Sequence, residues 1–176
     1  NIIIYICLIS LISCRNEVKI KQSSQFIEEN ITEDNKQGFV IKMNIEYLKN
    51  DRIWVFYAED YKQEFFSVET VITKPVKGQP HAQWLSFEFP LGVFPERIKI
   101  RFSNNKDQIK IKLNEIQFSK NNNILKMKGE YFVNNFNFSK YISTSDGYEF
   151  FFKIVDGVYD PNIVSSSQFD TELIKL

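Results

Sequence analysis

Phe39-Val40-Ile41-Lys42-Met43-Asn44-Ile45-Glu46-Tyr47 sets the terms for the rest of the chain. Every second side chain is large and apolar: Phe39, Ile41, Met43, Ile45 and Tyr47. Between them stand Val40, Lys42, Asn44 and Glu46. A strand turns successive side chains to opposite faces, so this alternation predicts a half-buried antiparallel strand, one face on a core and the other in water. A helix would scatter the same residues around its circumference.

The pattern repeats downstream. Lys49-Asn50-Asp51 turns the chain into Ile53-Trp54-Val55-Phe56-Tyr57, apolar on both faces and so expected to be a central strand. Further strands are predicted at residues 65–73, 83–89 and 97–102, with breaks at Lys74-Pro75, Gly78-Gln79-Pro80, Pro90-Leu91-Gly92 and Phe94-Pro95. Within residues 107–119 the alternation of Ile109, Ile111 and Leu113 slips phase to Ile116 and Phe118, which predicts a bulge or bend. Residues 121–143 are less regular: a loop at Asn121-Asn122-Asn123, then Ile124-Leu125-Lys126-Met127-Lys128, which reads as either a strand or a short extension. A strong strand follows at residues 148–155, closed by Asp156-Gly157, then a turn at Asp160-Pro161 and a last strand at residues 172–176. No run holds a 3.6-residue period. The expected fold is an all-β antiparallel sandwich, jelly-roll-like, over residues 38–176.

Composition narrows the classes. With 176 residues the chain can bury one proper core. Lys plus Arg equals Asp plus Glu at 22 each, so no global field favours nucleic acid, and none is expected as a partner. Seventeen Phe, eight Tyr and two Trp are a surplus that either a core or a stacking surface could absorb.

Residues 2–13 are apolar and free of charge, and Cys14 is followed by Arg15-Asn16-Glu17. The run falls short of the ~20 apolar residues that a membrane-crossing helix needs and has the length of a signal-peptide core. Leu11-Ile12-Ser13-Cys14 resembles the bacterial lipobox, which implies cleavage before Cys14 and acylation of its thiol. Residues 1–13 then read as a signal-peptide helix and 14–37 as the lipidated N-terminus with a polar, flexible tether. Position 1 is Asn, so a basic start is expected upstream. Cys7 would leave with the signal, so no disulfide framework is expected. The implied place is the cell envelope, lipid-anchored, with the outer membrane as the expected membrane partner.

The segment from Phe39 to Phe118 resembles an uncharacterised β-sandwich domain of envelope lipoproteins and polysaccharide proteins of Bacteroidetes. The features that carry the resemblance are the opening alternating strand, Asp51 followed by Trp54-Val55-Phe56-Tyr57, and Ser67-Val68. Phe87-Glu88-Phe89-Pro90, the strand from Arg97 to Phe102, and Ile109-x-Ile111 leading to Ile116 complete it. Related segments carry an Asp soon after the first Arg of the Arg97 strand. Here that strand runs through Lys99 and Arg101, so any role of that acid does not transfer. The resemblance implies a sandwich similar to carbohydrate-binding modules and no known activity.

Catalytic and metal-binding constellations have no motif here. The chain has one histidine, His81, in a Gly-Gln-Pro-His stretch that reads as a surface turn. Asp51 and Glu59-Asp60 offer loop oxygens of the kind calcium takes, but such acids ordinarily form a solvated loop, and neither metal nor cofactor is expected. No Gly-x-Ser-x-Gly elbow or phosphate loop occurs, and no pair of carboxylates stands out for glycoside hydrolysis, so a non-enzymatic chain is expected and a hydrolase is the weaker alternative.

Aromatic residues remain. Trp54, Tyr57, Tyr61, Trp84, Phe94 and Tyr159 have the position and type to stack on a sugar. Trp54 and Trp84 lie mid-strand, where core burial is the ordinary outcome, while Tyr57, Tyr61 and Phe94 lie at strand ends or in loops, where binding residues concentrate. Arg101 joins them, because Lys99 and Arg101 with Lys110 and Lys112 read as a basic stripe on adjacent strands. The expected function is a glycan-binding module, with a structural or protein-interaction subunit of an envelope complex as the alternative.

Overall fold

A computed structural model describes residues 38–63 and 66–176. The expected signal peptide, lipidated cysteine and tether lie outside the described residues. β1 (Phe39–Tyr47) is the expected alternating strand, and its five inward apolar side chains, Phe39, Ile41, Met43, Ile45 and Tyr47, are all buried. It leads to β2 (Asp51–Ala58), β3 (Val71–Val76), β4 (Gln79–Glu88), β5 (Arg97–Arg101) and β6 (Lys110–Lys120). Then come β7 (Asn123–Met127), helix α1 (Gly129–Asn134), β8 (Phe136–Phe138), β9 (Ile142–Thr144), β10 (Glu149–Phe152), β11 (Asn162–Ser165) and helix α2 (Ser167–Lys175).

Two antiparallel sheets pack as a sandwich. The six-stranded sheet runs β4-β1-β6-β10-β9, with β7 on the other half of the β6 edge that β10 leaves open. The five-stranded sheet runs β3-β2-β5-β11-β8. The winding explains the order. β1 to β4 form one ribbon folded over the sandwich edge, its outer pair β4–β1 in one sheet and its inner pair β2–β3 in the other. A second ribbon places β6–β10 in the first sheet and β5–β11 in the second. The pairs β1–β6 and β2–β5 join the two ribbons, which is a jelly-roll winding.

Phenylalanine fills the space between the sheets. Phe102 stacks on Phe150 at 6.4 Å and Phe152 at 6.2 Å, and Phe118 meets Phe169 edge-to-face at 4.8 Å. Phe132 bridges Phe136 and Phe150. Each such pair adds about 0.5–1.5 kcal/mol beyond area burial, so the core absorbs most of the aromatic surplus.

The expected phase slip in β6 is a bulge. Asn44 pairs with Glu115 but Ile45 pairs with Leu113, leaving Asn114 as the extra residue, and its amide donates to Asn44 Oδ1 at 2.8 Å. Three expectations need correction. Residues 172–176 are not a strand: α2 is capped by Ser166, whose side chain accepts from Phe169 N–H at 3.2 Å, and it buries Phe169, Asp170 and Leu173 on one face. Lys74-Pro75 is no break, because β3 is an edge strand where proline costs no ladder bond. The expected strand at residues 65–73 begins only at Val71, after a turn closed by Thr70 N–H to Ser67 O.

Candidate functional site

The outer face of the six-stranded sheet carries the best candidate. β4 points Leu85 and Phe87 inward, so its pleat must turn Trp84 and Ser86 out. Trp84 is 53% exposed, and it lies across β1 from Asn44 and then Glu115. One step along, Ser86, Lys42, Gln117 and Lys126 form the next row across four strands. Lys42, Trp84, Leu85, Ser86 and Gln117 line an open depression of about 380 Å³. The Gln117 amide donates to Glu115 Oε1, and the bulge residue Asn114 fixes Asn44. The patch therefore offers one bare indole and a set of short polar groups held in place by neighbouring strands.

The other candidates from sequence do not converge on it. Tyr57 is 8% exposed and packs edge-to-face on Phe89 at 5.1 Å, so it belongs to the core: β2 alternates Ile53, Val55 and Tyr57 inward. Trp54 lies on the outer face of the other sheet, half-buried, with the Arg101 guanidinium 5.5 Å from its ring centre. Arg101 in turn pairs with Asp160 at 3.0 Å, so both partners of that stack are engaged. Tyr61 and Phe94 sit in the loops after β2 and β4, at one end of the sandwich. Tyr61 N–H donates to Glu96 Oε2 at 3.2 Å, and the Phe94 ring lies 4.5 Å below the Lys120 ammonium.

Trp84 thus reverses the core expectation for a mid-strand tryptophan. The signal was present: in Trp84-Leu85-Ser86-Phe87-Glu88-Phe89, the inward set is Leu85, Phe87 and Phe89. The residues that sequence reading passed over are Lys42, Asn44, Ser86 and Gln117, polar positions on strands that pair only in the fold.

The basic stripe does not form. Lys99 and Arg101 lie on β5 in one sheet and Lys110 and Lys112 on β6 in the other. Lys110 pairs with Glu149 at 3.1 Å and Lys112 with Glu46 at 4.0 Å, while Lys99 lies over the Phe56 ring.

A buried polar cluster at the turn between β1 and β2 is structural. Ser103 Oγ donates to the Asp51 carboxylate, Tyr159 OH donates to Gln108 O at 2.7 Å, and Gln108 Oε1 accepts from Lys49 N–H at 2.8 Å. Tyr47 OH donates to Phe102 O at 2.6 Å. Burial raises the Tyr47 phenol well above its ordinary range and pushes Tyr159 up to about 12, against the opposing Ser103 contact. Asp51 spends its oxygens here and on Arg52 N–H. Among the described residues no three of His, Cys, Asp and Glu gather to hold a metal, and His81 is an exposed residue of β4, not of a turn. Compared with protein-family models, with curated proteins and with solved structures, the chain finds no match in any of the three.

Proposed function

We propose that the chain is a lipid-anchored module of a bacterial cell envelope that binds a glycan across the outer face of its six-stranded sheet. The observation that carries this reading is Trp84, a bare indole among Lys42, Asn44, Ser86 and Gln117 on a rigid sheet. An indole face stacks on the C–H face of a pyranose, and amide, hydroxyl and ammonium groups beside it satisfy the ring hydroxyls. Strands hold such groups in fixed relation, so little ordering is left to offset affinity. The lipobox-like Leu11-Ile12-Ser13-Cys14 supplies the anchor and hence the envelope location. A glycan array probed with the full chain and with Trp84→Ala tests the reading. Binding that the substitution removes supports it; silence across neutral and acidic polysaccharides overturns it.

A protein-docking role in an envelope complex is the second reading, favoured by one edge. β4 holds Pro80 at its second position and leaves His81 to Glu88 uninterrupted on an outer edge, whereas β3 has six residues with Pro75 next to last and β8 and β9 have three residues each. Long unblocked edges invite an added strand. Amide exchange along Gln79–Glu88 would decide: protection gained in native membranes, and absent in the purified chain, favours this role.

A further inference from the structure

The charge around Trp84 narrows the ligand class. Lys110 and Lys112, on the same outer face, each face a glutamate, at 3.1 and 4.0 Å. Lys42 lines the depression and is exposed, and among the described residues it has no ion pair or hydrogen bond from its side chain. Two acids face it. Glu115 takes the Gln117 amide, and Glu88 stands one row away on β4, across from Val40. Lys126 extends the same row beyond Gln117 and also has no carboxylate partner among the described residues. The charged groups within that row, Lys42 and Lys126, are thus both cationic, and the acids Glu88 and Glu115 stand one row away on either side.

Resting on the glycan reading above, we infer that the ligand is an acidic polysaccharide whose uronate carboxylate is taken by Lys42 while its ring stacks on Trp84. Lys42 is the diagonal cross-strand neighbour of Trp84, since Trp84 pairs with Asn44 and Ser86 with Lys42. Such diagonals span roughly 7–8 Å, within reach of a long side chain, and about the width of one sugar ring with its C5 substituent. Ser86 and Gln117 flank Lys42 in register and are placed to take the hydroxyls next to the carboxylate. A charge-assisted bond to a carboxylate separates acidic from neutral sugars by about tenfold or more at moderate salt, and salt weakens it because the site is open to water.

Calorimetry on the full chain in detergent micelles tests this, with oligomers of polygalacturonate, alginate and hyaluronan and the same oligomers after reduction of the carboxylates to alcohols. The expected result is at least one acidic oligomer that binds about tenfold tighter than its reduced form. Lys42→Met should erase that difference, bringing the acidic oligomer down to the affinity of its reduced form, while Lys42→Arg retains it. Equal affinities for both forms, still lost in Trp84→Ala, would overturn the acidic preference and leave the glycan reading standing. An acidic preference indifferent to Lys42→Met would overturn the assignment of the carboxylate to that residue. Binding of no oligomer in either form would remove the inference together with the reading it rests on.

Discussion

Gly147 lies so close to Gly129 that a Cβ on Gly147 would fall 2.5 Å from the Gly129 carbonyl carbon. Gly147 sits in the turn between β9 and β10, Gly129 opens α1, and both have positive φ, 73° and 54°. The contact joins the last hairpin of the six-stranded sheet to α1 backbone to backbone, with no side chain free to yield. Gly147→Ala should therefore destabilise by about 3 kcal/mol or more, strain and overlap together. In a thermal melt that is a midpoint lowered by roughly 6 °C or more for a chain of this size. Gly157→Ala is the control: its φ of 76° carries the strain, but nothing lies within 4 Å of the added carbon. It should cost only about 1 kcal/mol. Equal losses for the two variants would mean that the close approach contributes nothing.

Asp170 in α2 is buried, and burial raises its carboxyl above the ordinary value, opposed by the Ser165 hydroxyl that donates to it and by the charge of Arg97. Between the ordinary carboxylate pKa and the raised one, the folded chain holds a proton that the unfolded chain has lost. The contribution of this group to stability is thus complete below pH about 3.9 and is lost as pH rises through the raised value. Asp170→Asn keeps an acceptor for Ser165 and removes the ionisation. Urea unfolding from pH 4 to 7 should show the variant gaining on the parent as pH rises. A constant difference across that range would exclude Asp170 as the titrating group.

How much of this was legible depends on how far each signal reaches along the chain. β1 was readable because nine consecutive residues share one pleat, and the bulge because Leu113 and Ile116 break the parity within one strand. α2 was not, because its apolar face is Phe169 and Leu173 alone, and two residues four apart fit a helix or a ragged strand equally. The Ser166 cap was the one local clue. Pro75 signals a break in the sequence but lies within a strand in the fold, because edge or centre is decided by sheet order, which only the whole fold supplies. The binding patch was half legible. Trp84 points outward by the phase of its own strand, but Lys42, 42 positions before it, and Gln117, 33 positions after it, become its neighbours only through strand pairing.

The two buried tyrosines give an alkaline prediction. Ordinary phenols titrate near pH 10. Burial holds Tyr47 well above that and Tyr159 near 12, so between these values the unfolded chain has released protons that the fold retains. Stability should fall as pH rises from about 10 toward 12. Absorbance titration at phenolate wavelengths should show Tyr47 and Tyr159 ionising only with unfolding. Tyr159→Phe should shift that unfolding to higher pH, while costing about 1 kcal/mol near neutrality for the lost bond to Gln108 O. An unchanged alkaline midpoint would count against Tyr159 as a controlling group.

Trp84 and Tyr57 make the sharpest contrast, because they are both aromatic, both on strands, and differ in which way the pleat turns them. Trp84 leaves 53% of its surface in water, so Trp84→Ala removes few core contacts and should cost less than about 1 kcal/mol of stability. Tyr57 is 8% exposed and meets Phe89, so Tyr57→Ala opens a cavity and should cost about 3–5 kcal/mol. Binding should divide the other way. A stacking aromatic at the centre of a patch typically carries 2 kcal/mol or more of affinity, or about thirtyfold. Trp84→Ala should then lose the polysaccharide while melting like the parent chain, and Tyr57→Phe, which keeps the ring in the core, should bind unchanged. Stability and affinity measured on the same three proteins decide the matter. If Trp84→Ala unfolded early and any folded remainder bound normally, Trp84 would be a structural residue and the outer face of β1, β4 and β6 would lose its claim to a ligand.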